Sequence, residues 1–182
     1  MINAGTDSKL QPIKLGSGAD SLKLQGYQAT ESARRVYLHA GQVHVSTDKC
    51  ELVTIVGSCV SVLLWDTKQQ IGGGAHFLLP MYEGEGEATA RYGNVAMQML
   101  IDGLRQRGVK TSDVVAHVYG GASVLMSLHT MCDNLGVRNV EQAVAILNAA
   151  GIRVVKNITG GAKGRKVVFR TADGTANLEE IS

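Results

Sequence analysis

No stretch of this 182-residue chain holds the roughly 18 to 20 consecutive apolar residues that cross a bilayer, and Met1 to Leu10 lack a basic-then-apolar signal layout. These absences exclude membrane insertion as a reading and point to the cytoplasm. Cysteine is sparse as well. Three thiols, an odd number without close pairing, make no disulfide framework, so each is expected to be free in a reducing compartment. Proline occurs only twice, and 45% hydrophobic against 19% charged residues is the balance of a folded chain, which excludes extended disorder. The net charge of +2 is scattered, with no basic cluster larger than Lys163, Arg165 and Lys166, which argues against a nucleic-acid partner. Internal repeats and low-complexity blocks are absent too.

What is present divides into a leader and one domain. Residues 1–35 are rich in Gly, Ser, Gln, Lys and Asp with no apolar period, and read as a flexible leader; residues 36–182 read as a single domain. A domain of that size can bury about 70% of its unfolded surface, enough to fold without a metal or disulfide. Val43 to Val45, Leu52 to Val56 and Val60 to Trp65 are β-branched apolar runs, and Ile71 to Leu79 follows a charged turn at Asp66 to Gln70, so a hairpin is expected around Lys68. Apolar positions at Tyr92, Val95, Ala96, Met99, Leu100 and Leu104 recur every three or four residues, predicting a helix over 87–107 with Gly108 as its stop. Val114 to Tyr119 reads as a buried strand. A second helix is expected from Asn139, as its cap, to Gly151, with Gln142 in the reciprocal capping position; two strands, Ile152 to Ile158 and Lys166 to Thr171, close the domain. The alternation implies an α/β class, a sandwich of β-sheets with helices covering one side.

Chemistry concentrates at Val56, Gly57, Ser58, Cys59 and Val60, where a cysteine follows two small residues between apolar strands. Glycine at 57 allows a sharp turn, leaving the main-chain amides of Gly57 and Ser58 available as an oxyanion hole. A thiol that attacks an amide needs a base in hydrogen-bond reach, a pairing that lowers the thiol pKa to ~3.5 to 7.5. His76, seventeen residues on, is the candidate base. Free cysteine also serves as a small buried hydrophobe, and a histidine among Ala75, Phe77 and Leu78 also serves as a core residue with one hydrogen-bond partner. Spacing alone does not separate these readings. Gly72, Gly73 and Gly74 read as clearance for an approaching substrate. Cys132 reads as a passive thiol and His129 as uninformative. A zinc set of His39, His44, Cys50 and Cys59 matches no closed structural site, and the glycines at 160, 161 and 164 lack the order of a phosphate loop; neither metal nor cofactor is expected.

Taken in order, Gly57, Ser58, Cys59, Val60, Asp66, Gly72 to His76, Leu79 and Pro80 closely resemble the signature of the CheD family of chemoreceptor glutamine deamidases. The resemblance continues through Gly120 to Ser123, Arg138 to Val140, and Thr159 to Gly161, and spans about Val36 to Val168. It implies a cysteine-hydrolase fold of that family and a protein-glutamine glutaminase activity: the cysteine attacks a receptor glutamine, ammonia leaves, and the thioester is hydrolysed to glutamate. Cys59 and His76 match the family's nucleophile and base. The family's third residue is a threonine six positions before the cysteine; here Val53 holds that place and Thr54 is the nearest threonine, carried over as the third residue. Adjacent strand residues point to opposite faces, so Thr54 is expected to need a bulge to reach the site. The implied partners are methyl-accepting chemotaxis proteins as substrate and a CheC-type phosphatase. A docking protein with a slow cysteine, and an amidase for small molecules, are the competing readings; what touches the outer nitrogen of His76 separates the first from the enzyme, and a closed pocket would mark the second.

Overall fold

The computed structural model describes residues 34–84, 86–123 and 135–181. Most of the leader expected at 1–35, together with His129 and Cys132, lies outside the described residues. Arg34 and Arg35, counted with that leader, instead open the first strand.

Among the described residues the strands are β1 (Arg34–Tyr37), β2 (Gln42–Ser46), β3 (Cys50–Val56), β4 (Val60–Asp66), β5 (Gly72–Phe77), β6 (Val114–Gly120), β7 (Arg153–Thr159), β8 (Gly164–Arg170) and β9 (Ala176–Ile181), with helices α1 (Gly93–Arg105) and α2 (Leu135–Ala149). Strands β1-β3-β8-β9 form one sheet in that order and β2-β5-β4-β6-β7 the other. Both helices pack on the five-stranded sheet, and the four-stranded sheet covers its opposite face. The mixed α/β sandwich with one-sided helices matches the expected class. The expected hairpin is there as well, β4 and β5 pairing antiparallel with Ser61 opposite His76.

Period-two alternation sorts the five-stranded sheet into two cores. Val60, Val62 and Leu64 of β4, with Ala75 and Phe77 of β5, face the helices and pack on Ala96, Met97, Leu100 and Leu147. Leu63 of β4 and Tyr119 of β6 face the other way, into the inter-sheet layer with Leu52, Val56, Val167 and Phe169. Leu52, Leu63 and Phe169 are fully buried there, and each such side chain contributes ~1.5 to 3 kcal/mol over exposure. Cys59 and His76 fall on this second side of the sheet.

Several boundaries depart from the sequence reading, each for a local reason. Helix α1 starts at Gly93, six residues after the expected 87, because the preceding chain is tied back to the end of β5: the Leu78 and Leu79 N–H groups donate to the Arg91 carbonyl, and Gly93 N–H to the Leu79 carbonyl at 2.7 Å. Its buried stripe uses Met97 and Ile101 where Met99 was expected, and Met99 is exposed. Helix α2 already runs from Leu135, so Asn139 sits in its second turn and is not a cap; its side chain is fully buried and reaches other segments. Strands β1 and β9 were not anticipated. Both are short edge strands, mostly exposed, and carry too few apolar residues for a periodic signal. The glycines at 72 to 74 are buried and serve the protein's own packing: a Cβ on Gly73 would meet the His44 carbonyl at 2.7 Å, and one on Gly74 would meet Leu63 at the same distance. They do not provide the substrate clearance expected of them.

Candidate active site

Cys59 ends the 57–59 turn between β3 and β4 and is half-buried. The turn is shaped from behind. The carbonyl of Gly57 accepts from Ala122 N–H at 2.7 Å, that of Cys59 from Gly121 N–H at 2.9 Å, and that of Ser58 from Asn139 Nδ2 at 3.3 Å. Gly120 has φ +114°, and any Cβ there would overlap the Cys59 carbonyl oxygen, so β6 can meet the turn only as glycine. Residues 120 to 122 therefore act as a backbone mould for the turn that carries Cys59.

His76, 4% exposed, projects from β5 into the inter-sheet layer and sets its Nε2 3.0 Å from Cys59 Sγ. Its Nδ1 lies 3.1 Å from the Leu38 carbonyl and 3.1 Å from Thr54 Oγ1. A carbonyl only accepts, so Nδ1 carries the proton and Nε2 presents a bare lone pair to the thiol. This is the tautomer a general base requires.

Thr54 arrives without a bulge. Strand β3 pairs with β8 in unbroken register from Glu51 opposite Arg170 to Val56 opposite Arg165. Ordinary alternation then turns Leu52, Thr54 and Val56 inward, while Ile55 faces out and is 57% exposed. The expected need for a shifted register is overturned by the position of His76 itself, which reaches across from the other sheet to the even-numbered face of β3.

The electrostatics of the pair also differ from expectation. Burial pushes the Cys59 thiol up from its ordinary value, with the N–H groups of Gly57 and of Cys59 itself pulling it down less strongly. Burial pushes the His76 imidazole down, opposed by its bond to the Leu38 carbonyl. Both shifts favour a neutral thiol beside a neutral imidazole at rest, not the acidified thiol that the sequence reading anticipated. The Gly57 N–H lies 3.5 Å from Cys59 Sγ, so it serves the sulfur. Ser58 and Cys59 N–H have no main-chain acceptor among the described residues.

A cleft of about 440 Å³ opens in front of the pair, lined by Cys59, His76 and Thr54 together with Tyr37, His39, Ile55, Lys166 and Val168. It forms where β1 ends at Tyr37 and leaves the β3 edge beyond Val53 uncovered. Sequence reasoning missed Leu38 and Asn139. Leu38 acts through its main-chain carbonyl, which has no side-chain signal, and Asn139 carried a capping pattern that pointed elsewhere. Among the described residues no cluster of His, Cys, Asp or Glu has the grouping of a metal site, and no helix is long and apolar enough to cross a membrane.

A thiol, an imidazole of defined tautomer and main-chain N–H groups without a main-chain acceptor, at an open cleft, form a geometry suited to acyl transfer from amides. Comparison with known proteins points the same way. The family model described as CheD chemotactic sensory transduction matches residues 78–180, a span that begins just after His76. A protein of Trichlorobacter lovleyi named probable chemoreceptor glutamine deamidase CheD is 40% identical over 145 residues, covering 80% of this chain and 89% of the relative. One from Anaeromyxobacter dehalogenans, named probable chemoreceptor glutamine deamidase CheD 1, is 42% identical over 147 residues, covering 81% and 85%. A Sulfurimonas denitrificans protein with the first of these names is 34% identical over 145 residues, covering 80% and 93%.

Proposed function

The chain belongs to the CheD family, and from that premise we propose that it deamidates glutamine side chains of chemoreceptors, with Cys59 as nucleophile, His76 as base and Thr54 as a residue that orients the base. One observation carries the assignment of roles: Nε2 of His76 meets the Cys59 sulfur while Nδ1 is held by a carbonyl and a hydroxyl. An apolar wall behind the imidazole would have favoured a docking protein with an idle cysteine; the polar one supports the enzyme. The half-open cleft favours a side chain presented on a protein surface over a small molecule sealed in a pocket.

Each step balances on these groups. The sulfur attacks the glutamine amide carbon as Nε2 takes the thiol proton, and the oxyanion forms beside the main-chain donors of the turn. The imidazolium returns that proton to the amide nitrogen, ammonia leaves and a thioester remains. A water, deprotonated by Nε2, attacks the thioester carbon; the sulfur departs and recovers a proton, leaving glutamate. We place the reaction in the cytoplasm, and on the family resemblance a CheC-type phosphatase is the second partner. Incubating the full chain with a receptor cytoplasmic fragment tests the function. Ammonia release with a gain of about one dalton per converted glutamine supports it, and a well-folded protein that produces neither sinks it.

Two smaller effects follow from the geometry. Thr54→Val removes one of two acceptors at Nδ1 and keeps Leu38, so kcat should fall by at most about tenfold, the worth of one hydrogen bond of up to ~1.5 kcal/mol. A larger fall in steady-state ammonia release would mean the hydroxyl does more than orient the ring. The second concerns pH. Attack needs neutral His76, whose pKa is depressed below the ordinary 6.5. The acid limb of kcat/KM should therefore have its midpoint below 6.5, because the depressed group loses its base function only as pH falls through its own lower pKa. On the alkaline side the thiol, raised above 9.0, predicts no fall through neutral pH. A midpoint above 6.5 would contradict burial as the dominant influence on the imidazole.

A further inference from the structure

Asn139 is wholly buried in the second turn of α2, yet its side chain makes no contact typical of a helix cap. Its Nδ2 donates to the Leu78 carbonyl at 2.8 Å and to the Ser58 carbonyl at 3.3 Å, two segments 20 residues apart in sequence. Both partners are carbonyl oxygens that only accept, which fixes the amide's orientation. The other end, Oδ1, is buried with no hydrogen-bond partner among the described residues. An unsatisfied buried amide oxygen costs stability, and asparagine is a poor residue for a helix interior. An apolar residue would suit the helix and core better, so the amide's worth lies in what Nδ2 holds.

What it holds is the middle peptide of the nucleophile turn. Peptide groups are planar and trans, so each carbonyl points opposite to the N–H of the next residue. Main-chain donors pull in the Gly57 and Cys59 carbonyls from Ala122 and Gly121, whereas the Ser58 carbonyl is drawn in by the Asn139 side chain. Inward carbonyls at 57 and 58 turn the N–H groups of Ser58 and Cys59 away from those anchors. The same amide reaches Leu78, two residues beyond His76, and so ties the nucleophile turn to the strand that carries the base. Close approach makes this reach possible: α2 meets the segment just past β6 backbone to backbone, and a Cβ on Gly136 would come within 2.6 Å of the Gly121 carbonyl.

We propose that Asn139 is a positioning residue for acyl transfer, holding the Ser58–Cys59 peptide so that its N–H serves as an oxyanion donor. The proposal rests on Cys59 being the nucleophile. Without Asn139 the Ser58 and Leu78 carbonyls both lose their side-chain donor; the thiol's turn keeps its main-chain anchors at the Gly57 and Cys59 carbonyls and His76 keeps Leu38 and Thr54, so the Ser58–Cys59 peptide is the part of the site left free to rotate.

Two probes on the full chain separate these effects, each corrected by the rate of Cys59→Ala. Acylation of Cys59 by 4-nitrophenyl acetate passes through a tetrahedral oxyanion, whereas alkylation by iodoacetamide displaces iodide at a saturated carbon and needs only the thiol and its base. Asn139→Ala should lower acylation roughly 10²-fold, the effect of losing one oxyanion donor, with alkylation and its pH profile within about threefold of wild type because the thiol is untouched. Asn139→Leu, close to the amide in size and unable to donate, should behave alike and, by keeping the buried site filled, guards against a folding failure. Leu147→Ala, a cavity in the same helix, should leave the ratio of the two rates unchanged even where its Tm falls as far. Acylation and alkylation falling together, acylation that stays near wild type, or an equal change of ratio in Leu147→Ala would each overturn the proposal. A wild type that acylates at Cys59 yet never converts receptor glutamines overturns the deamidase reading alone.

Discussion

Cys59→Ala should abolish the conversion of receptor glutamines while the protein keeps its fold. In the proposed mechanism the sulfur forms the covalent bond to the substrate carbon, and among the described residues no second thiol adjoins the cleft: Cys50, the first residue of β3, is buried with Thr171 as its neighbour. The thioester route does not exist without the sulfur, whatever the base does, so the loss should be roughly 10⁴-fold or more. The structural consequence is small. Cys59 is only half-buried, its carbonyl stays anchored by Gly121, and exchanging a thiol for a methyl at such a position changes stability by about 1 kcal/mol or less. Mass spectrometry of the receptor fragment and a thermal melt of the variant check both halves. A variant that melts like wild type and still adds mass to the fragment would remove Cys59 from the mechanism.

His76→Ala should lower kcat by about 10² to 10⁴, the range for loss of a positioned general base, with KM for the receptor fragment little changed. The reasoning turns on the resting state of the pair. Burial holds the thiol above its ordinary pKa, so near neutrality almost no thiolate exists until a base removes the proton. In the proposed mechanism the imidazole is that base, 3.0 Å away and in the required tautomer. In its absence the reaction depends on spontaneous ionisation, and the rate should climb steadily with pH through the alkaline range while the acid limb of the profile disappears. The Leu38 carbonyl loses its partner in the variant, at ~1 to 3 kcal/mol for a buried acceptor, so a melt belongs beside the kinetics. Combining His76→Ala with Cys59→Ala should give no further loss. A single variant within tenfold of wild type, with its acid limb intact, would show that another group takes the proton.

The family resemblance singled out these two residues, and a local signal places them together. A cysteine after Gly57 and Ser58, a turn rich in polar residues at Asp66 to Gln70, and a returning strand that carries His76 together specify a hairpin, and a hairpin's register follows from its turn. Ser61 falls opposite His76, which brings the base beside the strand that Cys59 opens. The hydrophobic pattern likewise disclosed most strands and both helices, since burial of one face imposes a period whatever the partner. The edge strands β1 and β9 escaped because an edge buries little and needs no such period. The start of α1 escaped because ties to Leu78 and Leu79, not helix propensity, decide where the chain begins to coil.

Thr54 and Asn139 mark the boundary between the two kinds of information. Composition and strand periodicity gave the class of fold, and the ordered motifs around Cys59 and His76 gave the resemblance to the family and, through it, the proposed nucleophile and base. Each rests on short-range chemistry or on the period of a single element. Which face of β3 looks at His76 was set by the stacking of two sheets whose strands are separated by the whole hairpin, so counting back from Cys59 could not choose between Val53 and Thr54. That Asn139 clasps the Ser58 carbonyl, 81 residues away, follows from glycine contacts that seat α2 on the segment just past β6. The Leu38 carbonyl, a group every residue carries, became the partner of His76 through chain path alone. Packing between elements decided the hydrogen bonds that tune the site, because their energies depend on a few tenths of an ångström that no one-dimensional pattern encodes.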